Sequence, residues 1–237
     1  MSSVPSPIKA VRFSALVREF HAGRRDVEDA VLANALHIES DVDERLSSLP
    51  GLLRRFGNQH LAFSSMTFHE LREIFRAVAP GKNEIFGDVG AGYGHVVFYG
   101  ACVAPCRFRA IEILPARCAA MRRSARRLGL RNVEIIRADA QAQSYDDLAY
   151  LFVNSPFFPD AAGQFIAKLK SSRRRALTVI AVNNIAALFR DDGDFTEIDR
   201  GLDIAAYRFG IFRLGRKSMI PKSGNRFSDK IMLKRKF

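Results

Sequence analysis

The chain has 237 residues, 48% of them apolar and 10% aromatic, enough to fill a sizeable core and to set disorder aside. No apolar run approaches the roughly 20 residues of a membrane span, and Met1 to Pro7 has the wrong make-up for a secretory signal. A formal charge of +12 speaks to a polyanionic partner, nucleic acid first, rather than to fold.

Charge is spread unevenly. Residues 26–44 are acid-rich, whereas basic residues gather in Arg117–Arg131, in Arg173-Arg174-Arg175 and in Arg213–Lys236, where Asp229 is the single acid. Cys102, Cys106 and Cys118 make an odd count, which suits reduced thiols in a reducing compartment. Cys102 and Cys106 would share a helix face, but no further Cys/His set at ligand spacing joins them, so zinc is not expected.

In chain order, residues 1–57 read as helical and separate from the core, with Val27, Ala30, Val31 and Leu36 at roughly helical spacing and Pro50-Gly51 as a break. Residues 58–66 read as a loop. Thr67 and Glu70 have the spacing of a capping box for a helix from Phe68 to about Ala79, which Pro80-Gly81 ends. Strand and helix then alternate: strand 84–89, helix 94–102, strand 107–113, helix 115–128 ended by Gly129, strand 133–138, strand 149–154, helix 165–170 and strand 177–182. Candidates at 195–199 and 205–214 suit an antiparallel hairpin at the edge of a mainly parallel sheet.

The stretch Asp88-Val-Gly90-Ala-Gly92-Tyr-Gly94 joins a strand to a helix. Small residues let the backbone turn sharply and pass close to a ligand, and the helix offers unpaired N–H groups; an ordinary tight turn would use the same residues. The third glycine is not at the offset of the dinucleotide fingerprint. Glu112 closes the next strand about twenty residues on, where an acid either stands in solvent or accepts hydrogen bonds from ribose hydroxyls. Asp139 closes the third strand, where it either caps the next turn or accepts from an adenine amino group. Asn154-Ser-Pro156-Phe157-Phe158 ends the fourth strand, as a plain proline turn with core phenylalanines or as an amide beside the reacting centre with aromatic walls.

The acids closing successive strands around the glycine loop resemble the class I S-adenosylmethionine methyltransferases, over roughly residues 67–214. That resemblance implies a Rossmann-like α/β fold with a mainly parallel seven-stranded sheet and an antiparallel edge hairpin. It also implies S-adenosylmethionine as cofactor, with Asp88 at the methionine amino group, Gly90 and Gly92 along the cofactor, Glu112 on ribose and Asp139 on adenine. The chain would divide into a helical extension (1–57), a methyltransferase catalytic domain (58–214) and a basic tail (215–237).

Two families share the fourth strand end. Asn154-Ser-Pro156-Phe157 is a near match to the Asn/Asp-Pro-Pro-Tyr/Phe of amino-group methyltransferases, with Ser155 in place of a proline; there the oxygen orients a planar amine and the aromatic stacks on its ring. The region Phe68–Asp88, the glycine loop, Glu112 and Val153–Asp160 look like the non-SET histone lysine methyltransferases of the disruptor-of-telomeric-silencing family. In that resemblance Phe63-Ser-Ser-Met66-Thr67-Phe68 is the upstream cofactor loop, with Phe63 in place of a tyrosine and Ser65 in place of a glutamate. Ala140 stands where an aromatic packs on adenine.

The second resemblance implies methylation of a lysine of nucleosomal histone H-three in the nucleus, with the basic tail and the arginine-rich helix on DNA phosphates. A neutral lysine would attack the methyl group in line, aligned and dried by Asn154, Phe157 and Phe158. The alternative is an amino-group methyltransferase acting on RNA, DNA or a ribosomal protein.

Overall fold

The computed structural model describes residues 7–40, 42, 44, 46–61, 64–154, 156–157, 159–171, 175–198 and 208–215. The basic tail beyond 215, Arg173-Arg174, Phe63, Ser155 and Phe158 lie outside the described residues.

Seven strands form one sheet in the order β3-β2-β1-β4-β5-β7-β6: β1 (Ile85–Val89), β2 (Arg107–Glu112), β3 (Val133–Arg137), β4 (Tyr150–Asn154), β5 (Leu177–Val182), β6 (Phe195–Glu197) and β7 (Phe209–Leu214). The pairs from β3 to β5 are parallel, and β7 runs antiparallel to both β5 and β6. Every residue of β1 and of β5 is buried, as expected of parallel strands covered on both faces. The strand order reverses between β1 and β4, and at such a switch point an open α/β sheet leaves a crevice at its carboxyl ends.

Alternation along the strands feeds two apolar clusters. Phe86, Phe108, Phe152 and Ile180 face one way, under α4 (Phe68–Val78), α5 (His95–Val103) and α6 (Pro115–Leu128). Val89, Ile111, Val153 and Val179 face the other, under α7 (Pro159–Ser171) and α8 (Asn184–Asp191). The expected capping box is present: Thr67 accepts from the Glu70 N–H, and Glu70 accepts from the Thr67 N–H at 2.8 Å. Helix α6 starts at Pro115 and stops at Gly129.

The N-terminal helices are not set apart from the core. From α1 (Pro7–His21) Val17 and Phe20, and around α2 (Asp29–Ala35) Val27, Leu32 and Leu36, join the cluster that holds Val97, Phe98 and Tyr99. Their apolar faces match the outer side of α5, a pairing that spacing within residues 1–57 does not disclose. Helix α3 (Pro50–Leu61) runs through the expected 57/58 boundary and through the start of the expected loop at 58–66. Helix α7 is twice the expected length, and α8 was not expected. Cys106 lies beyond the end of α5, so it does not share a helix face with Cys102. All three thiols are buried, and burial pushes each up to about 11 or 12, so they stay protonated. Among the described residues no helix is long and apolar enough to cross a membrane.

Gly100 sets how closely α5 sits on the sheet. A Cβ there would lie 2.4 Å from Phe108 Cε1 and 2.5 Å from Phe75 Cζ. Alanine in a helix interior gains about 1 kcal/mol over glycine, but overpacking a tight core costs about 1–3 kcal/mol. Gly100→Ala is therefore expected to lower the urea midpoint despite the better helix former. A midpoint at or above that of the wild type would mean that the two rings move aside freely.

Candidate cofactor and substrate site at the carboxyl ends of the strands

The turn after β1 holds three glycines with positive φ: Gly90 at 77°, Gly92 at 57° and Gly94 at 88°. Side chains other than hydrogen are strained in that region. The Gly90 and Ala91 N–H groups both donate to the Ile111 carbonyl, at 2.9 and 3.0 Å, which closes the turn against β2. A Cβ on Gly90 would sit 2.9 Å from Pro156 Cβ, so the turn after β4 packs directly on the glycine turn.

Glu112, at the end of β2, reaches back to the same turn. Its carboxylate accepts the Gly92 N–H at 2.9 Å and the Leu114 N–H at 2.8 Å, one on each oxygen, and the Ile113 N–H also bonds it. Burial raises its pKa, opposed by these N–H groups and by Arg117. Asp88 lies beneath the turn, in register with Ala110 of β2 and Phe152 of β4. It is 2% exposed, and its Oδ2 has no hydrogen-bond partner. Burial, with Glu112 as a neighbouring like charge, pushes it up to about 8.

Arg117, on the first turn of α6, links this acid pair to the N-terminal region. Its guanidinium donates to Glu44, at 2.6 and 3.0 Å, and to the Leu61 carbonyl, and lies 5.5 Å from the Tyr93 ring centre. Tyr93 donates its hydroxyl to the same Glu44. Burial alone would raise Glu44, but the bonds from Arg117 and Tyr93 outweigh it and leave its pKa lowered. Glu44 and Leu61 thus tie the N-terminal region to the glycine turn and to the start of α6.

Asp139 both caps and pairs. One oxygen accepts the Gln141 N–H at 2.9 Å, and the other meets Arg55 of α3 at 2.6 Å. The expected adenine acceptor therefore carries an arginine partner that spacing gave no reason to expect. Ala140, partly buried, accepts the Tyr145 hydroxyl on its carbonyl. Met66 is buried in the core cluster, and Thr67 is exposed at the start of α4.

Asn154 ends β4, half-buried. Its Nδ2 donates to the Ser64 carbonyl at 3.3 Å, and its Oδ1 accepts from Asn183 Nδ2 at 2.8 Å. Phe157 is partly exposed and packs on Phe165, with ring centres 4.7 Å apart. The rim therefore gathers Asp88, Gly90, Gly92, Glu112, Pro156 and Asn154. Sequence reading missed Glu44, Arg55 and Asn183. Only Asn183 had a signal, as a polar residue directly after a strand on the same rim. Among the described residues no group of three or more His, Cys, Asp or Glu could hold a metal ion.

No protein-family model matches the chain, and no curated protein matches it significantly. Solved structures do. An RNA methyltransferase from Salinibacter ruber in complex with S-adenosyl-L-homocysteine is 16% identical, with a TM-score of 0.52 over 67% of this chain and 97% of that one. A SAM-dependent methyltransferase from Aquifex aeolicus is 15% identical, with a TM-score of 0.49 over 72% and 97%. An rRNA methylase from Streptococcus thermophilus is 15% identical, with a TM-score of 0.46 over 66% and 100%. The chain has the Rossmann-like fold of the class I methyltransferases.

Asp88 holds its proton in the folded chain up to about pH 8, whereas an unfolded aspartate releases it near ~3.9. The folded state binds more protons across that window, so stability falls as pH rises through it. Asp88→Asn is expected to remove this part of the pH dependence and to stabilise the ligand-free protein by roughly 2–5 kcal/mol at pH 8. Thermal and urea unfolding at pH 5 and pH 8 check it; equal slopes in the two proteins would show that Asp88 is already compensated.

Proposed function

We propose that the protein is an S-adenosylmethionine-dependent methyltransferase that modifies a planar amino group of a nucleic acid, RNA before DNA. One observation carries this reading: Pro156 packs on Gly90, so the amide of Asn154 and the glycine turn belong to one rim at the switch point. The likeness to the Salinibacter ruber RNA methyltransferase agrees with it in fold. The near match to the amino-group motif at Asn154-Ser-Pro156-Phe157 supports the acceptor.

The residues present suit the cofactor. The buried Asp88 Oδ2, with no partner, is an acceptor for an ammonium group, and the Asp88–Glu112 pair favours a ligand that brings positive charge. Glu112 retains an acceptor position for a ribose hydroxyl, and Asp139 would serve adenine once Arg55 shares or yields its carboxylate. Gly90 and Gly92 allow close backbone approach, and Met66, Thr67 and Ala140 would flank the nucleoside. When bound, S-adenosylmethionine supplies an electrophilic methyl group.

Asn154 does the orienting. Held at both ends by Ser64 and Asn183, its oxygen would accept one N–H of the incoming amine and so align the nitrogen lone pair. Phe157 adds an apolar wall. Transfer would form the N–C bond as the donor's S–C bond breaks, sulfur keeping that electron pair, and the amine would give up its proton to solvent at the half-open rim, so a dedicated base is not required.

The polyanion would meet the edge of the sheet at β3. Arg122, Arg126, Arg131 and Arg137 are exposed along α6 and β3, whereas Arg117, Arg123 and Arg127 of the same helix are engaged by Glu44 and Glu39. Phosphate contacts of this kind give affinity without sequence readout. The nucleosomal lysine reading shares the glycine turn, Glu112 and Asn154 with this one, and draws further on the basic tail and Phe158, which lie outside the described residues.

Methyl-labelled cofactor offered with total RNA, duplex DNA, nucleosomes and free histones separates the acceptors. Label in RNA is expected, lost at least 100-fold in Asn154→Ala with cofactor affinity kept; label in nucleosomal histone alone would replace the acceptor class and bring a nuclear location with it. No label and no cofactor binding would end the reading. A second outcome concerns the edge: Arg126→Gln with Arg131→Gln should lower RNA affinity and reduce the salt slope by about 1.4–1.8. An unchanged slope would move the RNA path elsewhere.

A further inference from the structure

Asn183 follows β5 and stands at the N-cap of α8 with φ 61° and ψ −141°. That region favours glycine, and another residue held there costs of order 1–3 kcal/mol. Asparagine is common at N-caps because its side chain accepts a helix N–H, yet Asn183 makes no such bond. Its amide instead crosses to β4 and donates to Asn154 Oδ1 at 2.8 Å. The backbone conformation is enforced from the other side, where the Asn183 N–H donates to the Arg208 carbonyl at 2.8 Å. Arg208 in turn donates to the Ser65 carbonyl at 2.9 Å and to Glu70 at 3.1 Å. Ser64, next to Ser65, holds the other end of the Asn154 amide.

We propose that Asn183 is a positioning residue for methyl transfer: it fixes the amide of Asn154 so that its oxygen, not its nitrogen, is presented to the acceptor amine. A free asparagine amide exchanges oxygen and nitrogen by a half-turn about its last side-chain bond at little cost. With Ser64 offering a carbonyl at one end and Asn183 an N–H at the other, only one of the two orientations is satisfied. The strained backbone at 183 is then the consequence of aiming a donor across the rim from a strand end that must also start a helix. The proposal rests on the methyltransferase reading given above.

The variant pair Asn183→Gly and Asn183→Asp tests it. Glycine relieves the backbone and removes the donor; aspartate keeps the shape but offers only acceptors. A purely structural role for the side chain predicts that stability and activity fall together. The positioning role predicts that Asn183→Gly melts at or above the wild-type temperature, keeps its cofactor affinity, and loses 10–100-fold in kcat with the cofactor KM nearly unchanged. Asn183→Asp should be at least as impaired, because it turns the Asn154 amide the wrong way, and Asn183→Gln should recover part of the rate. An active wild type with an equally active Asn183→Gly overturns the role of Asn183 alone. A wild type that neither binds cofactor nor transfers a methyl group overturns the role together with the function it serves.

Discussion

Asp88 and Glu112 are buried next to each other under the glycine turn, and much of the upper rim is arranged around that pair of acids. Two carboxylates in apolar surroundings repel each other and lack water, so compensation must come from nearby dipoles and charges. Glu112 receives it from the N–H groups of Gly92 and Leu114 and from the charge of Arg117. Arg117, itself 6% exposed, needs its own acceptors and finds them in Glu44 and the Leu61 carbonyl. The chain of compensation runs outward from the sheet and ends on the N-terminal segment. Asp88 is the member it does not reach: its Oδ2 stays without a partner, and burial raises its pKa.

The same logic explains the uneven charge along the chain. The acid-rich stretch before residue 45 and the arginine-rich helix α6 meet each other: Glu39 pairs with Arg123 and Arg127, and Glu44 with Arg117. Part of what reads in sequence as a nucleic-acid-binding helix is an internal seam that ties the segment between α2 and α3 to α6. The remaining arginines of α6, Arg122 and Arg126, are exposed, as are Arg131 and Arg137 nearby in the chain.

Positive φ recurs at the carboxyl ends of the strands. Three glycines with positive φ shape the turn after β1, and Asn183 also takes a positive φ after β5 without being a glycine. Between them stands the β4 end, whose Asn154 touches both sides through Asn183 and through Pro156 on Gly90. Strands β1 and β5 below, buried on both faces, are close-packed and keep these conformations in place.

Local pattern was sufficient for much of the fold. The capping box at Thr67, the stop at Gly129, the period-2 and all-apolar strands and the glycine turn with acids at 88, 112 and 139 are written in neighbouring residues, and so was the antiparallel edge. Helix α8 was missed because Asn183-Asn184 reads as a turn and its apolar residues Ile185, Ala186 and Phe189 cover barely two turns. What no spacing could disclose were contacts between residues far apart in the chain: Glu44 with Arg117, Arg55 with Asp139, Asn183 with Asn154. Spacing specifies which side chains share a face of one element. Which charge meets which across elements depends on how the layers stack, because a buried charge is satisfied by whatever partner the packing brings within hydrogen-bond distance.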